Sequence, residues 1–177
     1  MSAPRTVRTA RLLLRPFVLS DVAAYAAIRA KPEVMRYLPG GEARTATARQ
    51  DAERLTPLFA SLWDEVGYGP WAALDCASGA LLGHVGLRRL PELGGETEVL
   101  YMLDSAAWGR GLAKEGAAAA RDYGFGVLSL SRLIGLVLPD NTASLRVLER
   151  IGMRREETVD AFGLRVVRCA VERPSAG

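Results

Sequence analysis

The order of hydrophobic and polar positions along the chain predicts strands alternating with helices. Short apolar runs bounded by turn residues are typical of strands, and apolar residues at helical spacing are typical of amphipathic helices. The predicted strands are 11–15, 68–74, 81–90, 96–103, 133–138, 154–159 and 164–171. The predicted helices are 21–30, 32–37, 45–63, 112–127 and 141–151. Pro57 lies inside the third of these helices and is expected to kink or break it.

The spacing of these elements predicts a mixed sheet with helices on its faces. Short turns join the strands between residues 68 and 103, so we expect an antiparallel meander there. The strand–helix–strand unit over 96–138 is a crossover, which makes one pair of neighbouring strands parallel. A chain of 177 residues is the length of one domain, and we expect residues 1–177 to form it with an ordered core over about 8–172.

Composition indicates a globular protein outside the membrane. The chain is 49% hydrophobic and 24% charged, both ordinary values for globular domains. The longest stretch without a formal charge, residues 76–87, is too short for a bilayer, and residues 1–15 hold no signal peptide or lipidation motif. We therefore expect a cytoplasmic protein with no membrane partner.

The net charge and the residues that could bind a metal give little further information about function. The net charge of +3 comes from 23 basic and 20 acidic residues, and the arginine excess fits a GC-rich genome at least as well as nucleic-acid binding. No block of like charges forms a basic arm, so no nucleic-acid partner is expected. One histidine, His84, and two distant cysteines, Cys76 and Cys169, give no zinc spacing, and we expect no metal and two reduced thiols.

One segment carries the pattern of an anion site. The predicted strand 96–103 leads into a loop with two glycines, and the loop opens the helix that starts at residue 112. Free backbone N–H groups and the helix dipole make such a helix start suited to a phosphate or pyrophosphate. Arg110 and Lys114 add positive charge. The Walker and Rossmann spacings both fail here, and spacing alone leaves open a plain turn whose glycines only help packing.

Four segments together resemble the GNAT superfamily of acetyl-CoA-dependent N-acetyltransferases. The loop segment resembles its motif A, and the pattern Trp-Gly-x-Gly-[Tyr/Leu]-Ala-x-Glu is typical of the branch that resembles ribosomal-protein N-terminal acetyltransferases. The similarity covers nearly the whole chain, in the order expected for that branch, through residues 9–16 with 20–21, 82–87, 101–115 and 141–153.

Two positions depart from the general superfamily pattern. Trp108 stands where the general motif has a polar residue, and Leu148 stands where many members have a tyrosine that serves as general acid. Both departures recur in the branch named above, so they indicate the branch, but they remove the usual tyrosine acid.

The resemblance implies a fold and a cofactor site. It implies an α/β (α+β) fold with a mostly antiparallel, seven-stranded mixed sheet that is splayed between its fourth and fifth strands and covered by helices on both faces. Acetyl-CoA is then the co-substrate, with its pyrophosphate on the loop amides and its pantetheine arm in the splay. The implied cofactor-binding residues are Met102, Leu103, Trp108, Gly109, Arg110, Gly111, Leu112, Ala113, Asn141 and Ser144.

The resemblance also implies catalytic candidates. Glu98 falls near the position of a strand-borne glutamate that acts as general base, with Glu96, Glu157, Asp160 or a water relay as alternatives. Ser144 matches a residue that assists the leaving thiolate or binds CoA, and hydrogen bonding to CoA is the better chemistry for a serine.

Other residues near the implied site have structural explanations as well. Asn141 either bonds the pantetheine amide or only caps a helix. His84 is expected to be a packed residue, and Trp108 to lie under the loop. The helix 45–63, with Trp71, is expected to wall the acceptor site.

The sequence leaves the acceptor open. A protein N-terminus or a small-molecule amine both suit the implied chemistry, and fold does not fix substrate. The alternative from another functional class is a non-catalytic acyl-CoA-binding or interaction module on the same fold. A monomer and a homodimer are both compatible with the sequence.

Overall fold

A computed structural model describes residues 4–174, which form one eight-stranded sheet with helices. The strands lie in the order β1-β2-β3-β4-β5-β6-β8-β7. Their bounds are β1 Val7–Arg8, β2 Leu12–Arg15, β3 Pro70–Asp75, β4 Leu81–Leu90, β5 Glu96–Leu103, β6 Arg132–Val137, β7 Arg154–Ala161 and β8 Leu164–Glu172. The predicted mixed and mostly antiparallel sheet is confirmed. The strand count is eight rather than seven, because Val7–Arg8 pairs with Leu13 and Leu14 at the sheet edge.

Five α-helices connect these strands. They are α1 Val22–Arg29, α2 Pro32–Met35, α3 Ala48–Glu65, α4 Leu112–Gly126 and α5 Thr142–Arg150, and a 3₁₀ segment, Gly41–Thr47, precedes α3. In the part of the chain that is described, no helix is long and apolar enough to span a bilayer.

Pro57 does not break α3, because the helix continues through it to Glu65. Phe59 and Trp63 lie beyond the proline and are buried, and burial of two large aromatic side chains offsets the helical hydrogen bond that proline cannot make.

Helices cover both faces of the sheet, as expected. His84 on β4 points toward α1 and α3, where its ring lies against Tyr25 and Phe59. The next residue, Val85, points to the opposite face, where α4 approaches so closely that a Cβ on Gly116 would lie 2.9 Å from it. The core under α4 and α5 and the core under α1 and α2 therefore lie on opposite sides of the strands.

The sheet opens between β5 and β6, the fourth and fifth strands of the seven that were predicted. These two strands run parallel, and their pairing is limited to Glu98 opposite Ile134. β6 keeps its pairing with β8 along its whole length, from Arg132 to Val137. The carboxyl-terminal half of β5 therefore faces a gap, and this gap leads to the glycine loop at the start of α4.

Candidate active site

The loop before α4 has the geometry of an anion site. Gly109 and Gly111 have φ values of +72° and +76°, a backbone conformation in which residues with a Cβ are strained. The helical hydrogen bonds of α4 start with Glu115 N–H donating to Gly111 O at 3.1 Å. The amides of the first turn precede that bond and therefore lack helical acceptors, and the helix dipole adds partial positive charge at the same place.

Trp108 ties this loop to the end of β5. Its indole Nε1–H donates to the carbonyl oxygen of Leu103 at 2.9 Å, while half of the side chain remains exposed. The bond fixes the distance between the strand end and the glycines. A hydrogen-bonding tether accounts for a tryptophan at this position, where the general superfamily motif has a polar residue.

A second tether joins the loop to the first strands of the sheet. The Glu115 carboxylate accepts hydrogen bonds from Thr9 Oγ1 at 2.6 Å, from Arg11 N at 2.8 Å and from Arg11 Nε at 2.7 Å. Arg11 Nη1 in turn donates to the carbonyl oxygen of Arg110 at 2.7 Å. We call Thr9, Arg11 and Glu115 the loop clamp. All three residues lie in the sequence segments that resemble the family motifs, but the sequence did not show that they contact one another.

The gap between β5 and β6 exposes backbone groups of β5. Along a strand the N–H groups point alternately to the two neighbours, and Asp104 N–H bonds Leu82 O of the β4 side at 2.7 Å. By that alternation Met102 N–H also points to β4, whereas Leu103 N–H and Tyr101 N–H point into the gap. Of the two amide donors that the sequence suggested, the N–H of Leu103 faces the gap and the N–H of Met102 faces β4.

Glu98 lies at the point where the two strands part. Its side chain is buried, with the residue 5% exposed, and its Oε2 accepts from Arg88 Nη2 at 2.5 Å and from Arg88 Nε at 3.1 Å. Burial raises the pKa of Glu98, and this effect outweighs the opposite influence of Arg88 and of the Leu136 N–H. A buried carboxylate with a raised pKa, at the lip of a cavity, has the properties of a general base.

The other three candidate carboxylates lie beside arginines and outside the cavity wall. Glu96 pairs with Arg132 and Arg168, Glu157 pairs with Arg168, and Asp160 is exposed beside Arg165. Of the four carboxylates that the sequence offered as bases, Glu98 is the one that lines the cavity.

Ser144 sits in a hydrogen-bonded group at the far side of the gap. Its Oγ lies 2.8 Å from the Tyr101 hydroxyl, which also donates to the Ser144 carbonyl oxygen at 3.1 Å. Burial raises the pKa of Tyr101, so its phenol stays protonated. Asn141 caps α5 through its side-chain oxygen, which accepts from Ser144 N–H at 3.1 Å. Sequence reasoning had not included Tyr101.

His84 is held in a neutral, packed state. Tyr25 Oη lies 2.8 Å from its Nδ1, and burial, followed by the nearby Arg29 and Arg88, lowers its pKa to about 3. An imidazole with so low a pKa is a weak base at neutral pH.

A cavity of about 690 Å³ occupies the space between these groups. Glu98, Tyr101 and Ser144 lie on its wall, and α3 forms an apolar side of it through Leu55, Leu58, Phe59 and Leu62. Trp71 does not line it, contrary to expectation, because its ring is buried between Trp63 and Tyr123 in the core. Five arginines also reach this wall, namely Arg29, Arg44, Arg54, Arg88 and Arg89.

Within residues 4–174, no three His, Cys, Asp or Glu side chains converge in a way that could hold a metal ion. Cys76 and Cys169 are both free thiols.

Comparison with known proteins places this geometry in a family. The domain described as "Acetyltransferase (GNAT) domain" matches residues 11–154. Among curated proteins, the chain is 33% identical to the uncharacterized protein YkkB of Bacillus subtilis, over 90% of this chain and 91% of that protein. It is 30% identical to the uncharacterized N-acetyltransferase YnaD of the same organism, over 85% and 83%.

Solved structures agree with the fold. An acetyltransferase from Agrobacterium tumefaciens superposes with a TM-score of 0.79 at 28% identity, covering 97% of this chain and 96% of the other. RimJ of Mycobacterium smegmatis, solved with CoA-disulfide, gives 0.74 at 20% identity, covering 97% and 84%. Spermidine N-acetyltransferase of Vibrio cholerae, solved with CoA and spermine, gives 0.73 at 18% identity, covering 93% and 97%. With the domain matched over most of its length, the chain belongs to the GNAT family and is an acetyltransferase enzyme.

Proposed function

We propose that this chain transfers the acetyl group of acetyl-CoA to a primary amine by direct attack in the cavity between β5 and β6. The observation that carries the proposal is the position of Glu98. The buried carboxylate of Glu98 stands where β5 pairs with β6, on the wall of the cavity.

The glycine loop supplies the place for the CoA pyrophosphate. We assign it to the backbone amides of Gly109, Arg110, Gly111, Leu112 and Ala113, which precede or open α4. A Cβ at Gly109 would meet no atom within 4 Å, so this side of the loop is open to a ligand. The side chain of Arg110 is half exposed beside Asp75, from which it can turn toward a phosphate.

The gap supplies donors for the pantetheine arm and the thioester. The N–H groups of Tyr101 and Leu103 point into it, and a backbone donor aimed at the developing oxyanion contributes about 10²–10³ in rate. Ser144 Oγ, held by the Tyr101 hydroxyl, is assigned to a hydrogen bond with CoA. Asn141 already caps α5 through its oxygen, which leaves its NH₂ group as the donor for a pantetheine carbonyl.

Glu98 is assigned as the base that neutralises the attacking amine. The ammonium form of the acceptor gives one proton to the carboxylate or to water hydrogen-bonded to it. The amine nitrogen lone pair then attacks the thioester carbonyl carbon, a C–N bond forms, the C–S bond breaks and the thiolate of CoA leaves. The nitrogen loses its second proton to the departing thiolate or to water, so the products are the N-acetylated amine and CoA. A thiol with an ordinary pKa near 8.5 is a good leaving group, so the missing tyrosine acid at position 148 does not prevent the reaction.

The experiment is thiol release from acetyl-CoA with a panel of amines, with the acetylated product identified by mass spectrometry. Glu98→Gln is expected to lower kcat/KM by about 10²–10⁴. Glu157→Gln, an exposed carboxylate outside the cavity, is the matched control and should act like the wild type. The acid limb of the wild-type pH profile is expected above the ordinary glutamate value of 4.5, because the pKa of Glu98 is raised.

Two results would contradict this assignment. Binding of CoA without acetyl transfer to any amine would leave the chain as an acyl-CoA-binding module. Equal rates for Glu98→Gln and Glu157→Gln would remove Glu98 from the mechanism.

A further inference from the structure

Three arginines from three different elements converge on one carboxylate beside the cavity. Arg29 ends α1, Arg44 lies in the 3₁₀ segment, and Arg54 is on the second turn of α3. All three contact Asp51. Arg29 Nη2 lies 3.4 Å from Oδ2, Arg54 Nη2 lies 3.6 Å from Oδ1, and Arg44 forms the shortest of the three pairs. We call Arg29, Arg44 and Arg54 the arginine cluster.

The arginine cluster carries more charge than its partner neutralises. Three positive charges against the single negative charge of Asp51 leave 3 − 1 = +2. Burial raises the pKa of Asp51, but the charges of Arg29 and Arg44 and the hydrogen bonds from Arg44 and Thr47 together lower it below its ordinary value, which favours the ionised carboxylate. Elsewhere on the cavity wall Arg88 pairs with Glu98, and Arg89 adds a further positive charge.

Arg29 also holds a donor without an acceptor. The residue is 7% exposed, yet its Nε–H has no hydrogen-bond partner among the described residues. A buried donor without a partner is destabilising, and more so when it is charged. Arg29 lies on the cavity wall, so a ligand in the cavity is positioned to supply the missing acceptor.

The cluster lies close to the proposed site of acetyl transfer. Arg29 Nη1 is 3.9 Å from the Met102 sulfur on β5, the strand that borders the gap. The same cavity wall carries Glu98 and the apolar side chains of Leu55, Leu58 and Phe59 on α3. One molecule in the cavity can therefore present an amine to Glu98, an anionic group to the arginines and an apolar portion to α3.

A purely structural role does not account for this arrangement. One arginine is enough to neutralise Asp51, and the side chains of Arg44 and Arg54 remain 40% and 60% exposed beside it. Arginine is suited to bidentate binding of carboxylate and phosphate, and several guanidinium groups around one cavity attract an anion.

We propose that the acceptor amine carries a carboxylate or phosphate group, which binds between Arg29, Arg44 and Arg54. This inference rests on the proposed acetyl transfer and specifies its substrate class. A polyamine, such as the spermine bound in the Vibrio cholerae neighbour, has the wrong charge for this cavity.

The test compares acceptors that differ only in the anion. The pairs are L-phenylalanine with L-phenylalaninamide, 4-aminobutyrate with 4-aminobutanamide, and O-phosphoethanolamine with ethanolamine. A peptide pair, Ser-Glu-amide with Ser-Gln-amide, shows whether the carboxylate belongs to a peptide. We expect at least one anionic member to exceed its neutral partner by about tenfold or more in kcat/KM, which is the effect of one charge-assisted hydrogen bond.

Substitutions of the arginines test whether the preference for an anionic acceptor arises at the arginine cluster. Arg29→Gln addresses the unpaired donor directly, but this residue is buried, so the double variant Arg44→Gln/Arg54→Gln tests the same site at exposed positions. Both are expected to bring the anionic-to-neutral ratio close to one without changing the affinity for CoA. Arg49→Gln is the matched control, since Arg49 is on α3, pairs with Glu53 and does not line the cavity.

A binding measurement separates this inference from the proposed function. Phenylacetate and phenylacetamide have no amine, and calorimetry on the CoA-saturated enzyme measures whether the carboxylate form binds better. Failure of every amine to be acetylated would overturn the proposed function, while binding of phenylacetate that depends on Arg44 and Arg54 would still support the anion site. Equal kcat/KM for the anionic and neutral members of every pair, together with equal affinity for phenylacetate and phenylacetamide, would overturn the anion site.

Discussion

Replacement of Glu115 by glutamine is expected to loosen the glycine loop. Glu115→Gln keeps the size of the side chain and leaves one oxygen to accept from Thr9 Oγ1 and Arg11 N. The second oxygen, which now accepts from Arg11 Nε at 2.7 Å and pairs with Arg11 Nη2 at 2.7 Å, becomes an NH₂ group that faces two donors. The loop clamp then loses its charged bond, and the bond from Arg11 to Arg110 O loses its support.

The size of the effect follows from the exposure of the two partners. A hydrogen bond to a charged group contributes about 1.5–3 kcal/mol, and an exposed ion pair contributes about 0–1 kcal/mol. Glu115 is 17% exposed and Arg11 is 49% exposed, so the pair lies between these cases, and we expect a loss of about 1–2 kcal/mol. At about 2–4 °C per kcal/mol for a domain of this size, Tm falls by roughly 2–8 °C.

The stabilisation by the Glu115 carboxylate depends on pH in a definite direction. Burial raises the pKa of Glu115, but the hydrogen bonds from Thr9 and Arg11 outweigh it, and the pKa of Glu115 in the folded protein is below its ordinary value of 4.5. The stabilisation by the carboxylate is therefore complete above about pH 4.5 and is lost as the pH falls below it. The difference in Tm between wild type and Glu115→Gln should narrow over the same range.

The assays are thermal unfolding and calorimetric titration with CoA. Glu149→Gln, which breaks the exposed pair with Arg155, is the control and should change the free energy of unfolding by less than about 1 kcal/mol. The Kd for CoA is expected to rise in Glu115→Gln and to stay unchanged in Glu149→Gln. A Tm and a CoA affinity that are the same in both variants would refute the loop clamp.

Three further predictions concern other residues. The imidazole of His84, whose pKa burial lowers to about 3, should show no titration between pH 5 and 8 by NMR, and a midpoint near 6.5 would contradict its buried, neutral state. Gly109→Ala places a Cβ at φ +72°, which costs about 1–2 kcal/mol, and it should lower Tm and weaken CoA binding in calorimetry; an unchanged Tm would contradict the strained geometry. Pro57→Ala restores a helical N–H inside α3 and should stabilise the protein by about 1–3 kcal/mol in urea unfolding, whereas a loss would mean that the helix depends on the proline.

The pattern of apolar and turn residues was enough to predict most of the strands and helices. The bounds of β4 and β5 match the predicted 81–90 and 96–103, because turn residues close both ends of these strands. β1 was missed because two residues form a strand only through their neighbour β2. The start of α3 was predicted three residues early, at 45, where the chain forms a 3₁₀ segment instead.

The candidate site was predicted less completely, since part of it exists only in three dimensions. The glycine loop and Glu98 are local features that a motif carries. The arginine cluster is drawn from α1, the 3₁₀ segment and α3, and the loop clamp joins residues 104 positions apart. One signal was present in the sequence, because Arg29 follows Val22 and Tyr25 at helical spacing and therefore lies on the buried stripe of α1. A charged residue on such a stripe requires a partner, and that requirement leads to Asp51.

The position of Glu98 explains how one carboxylate can be buried and still reach a substrate. At the residue of β5 that pairs with β6, burial raises the pKa of Glu98, Arg88 keeps it from rising further, and the carboxylate lies on the cavity wall. In the proposed reaction, the splay of the sheet thus accounts for both the space assigned to the thioester and the buried environment of Glu98, the residue assigned as base.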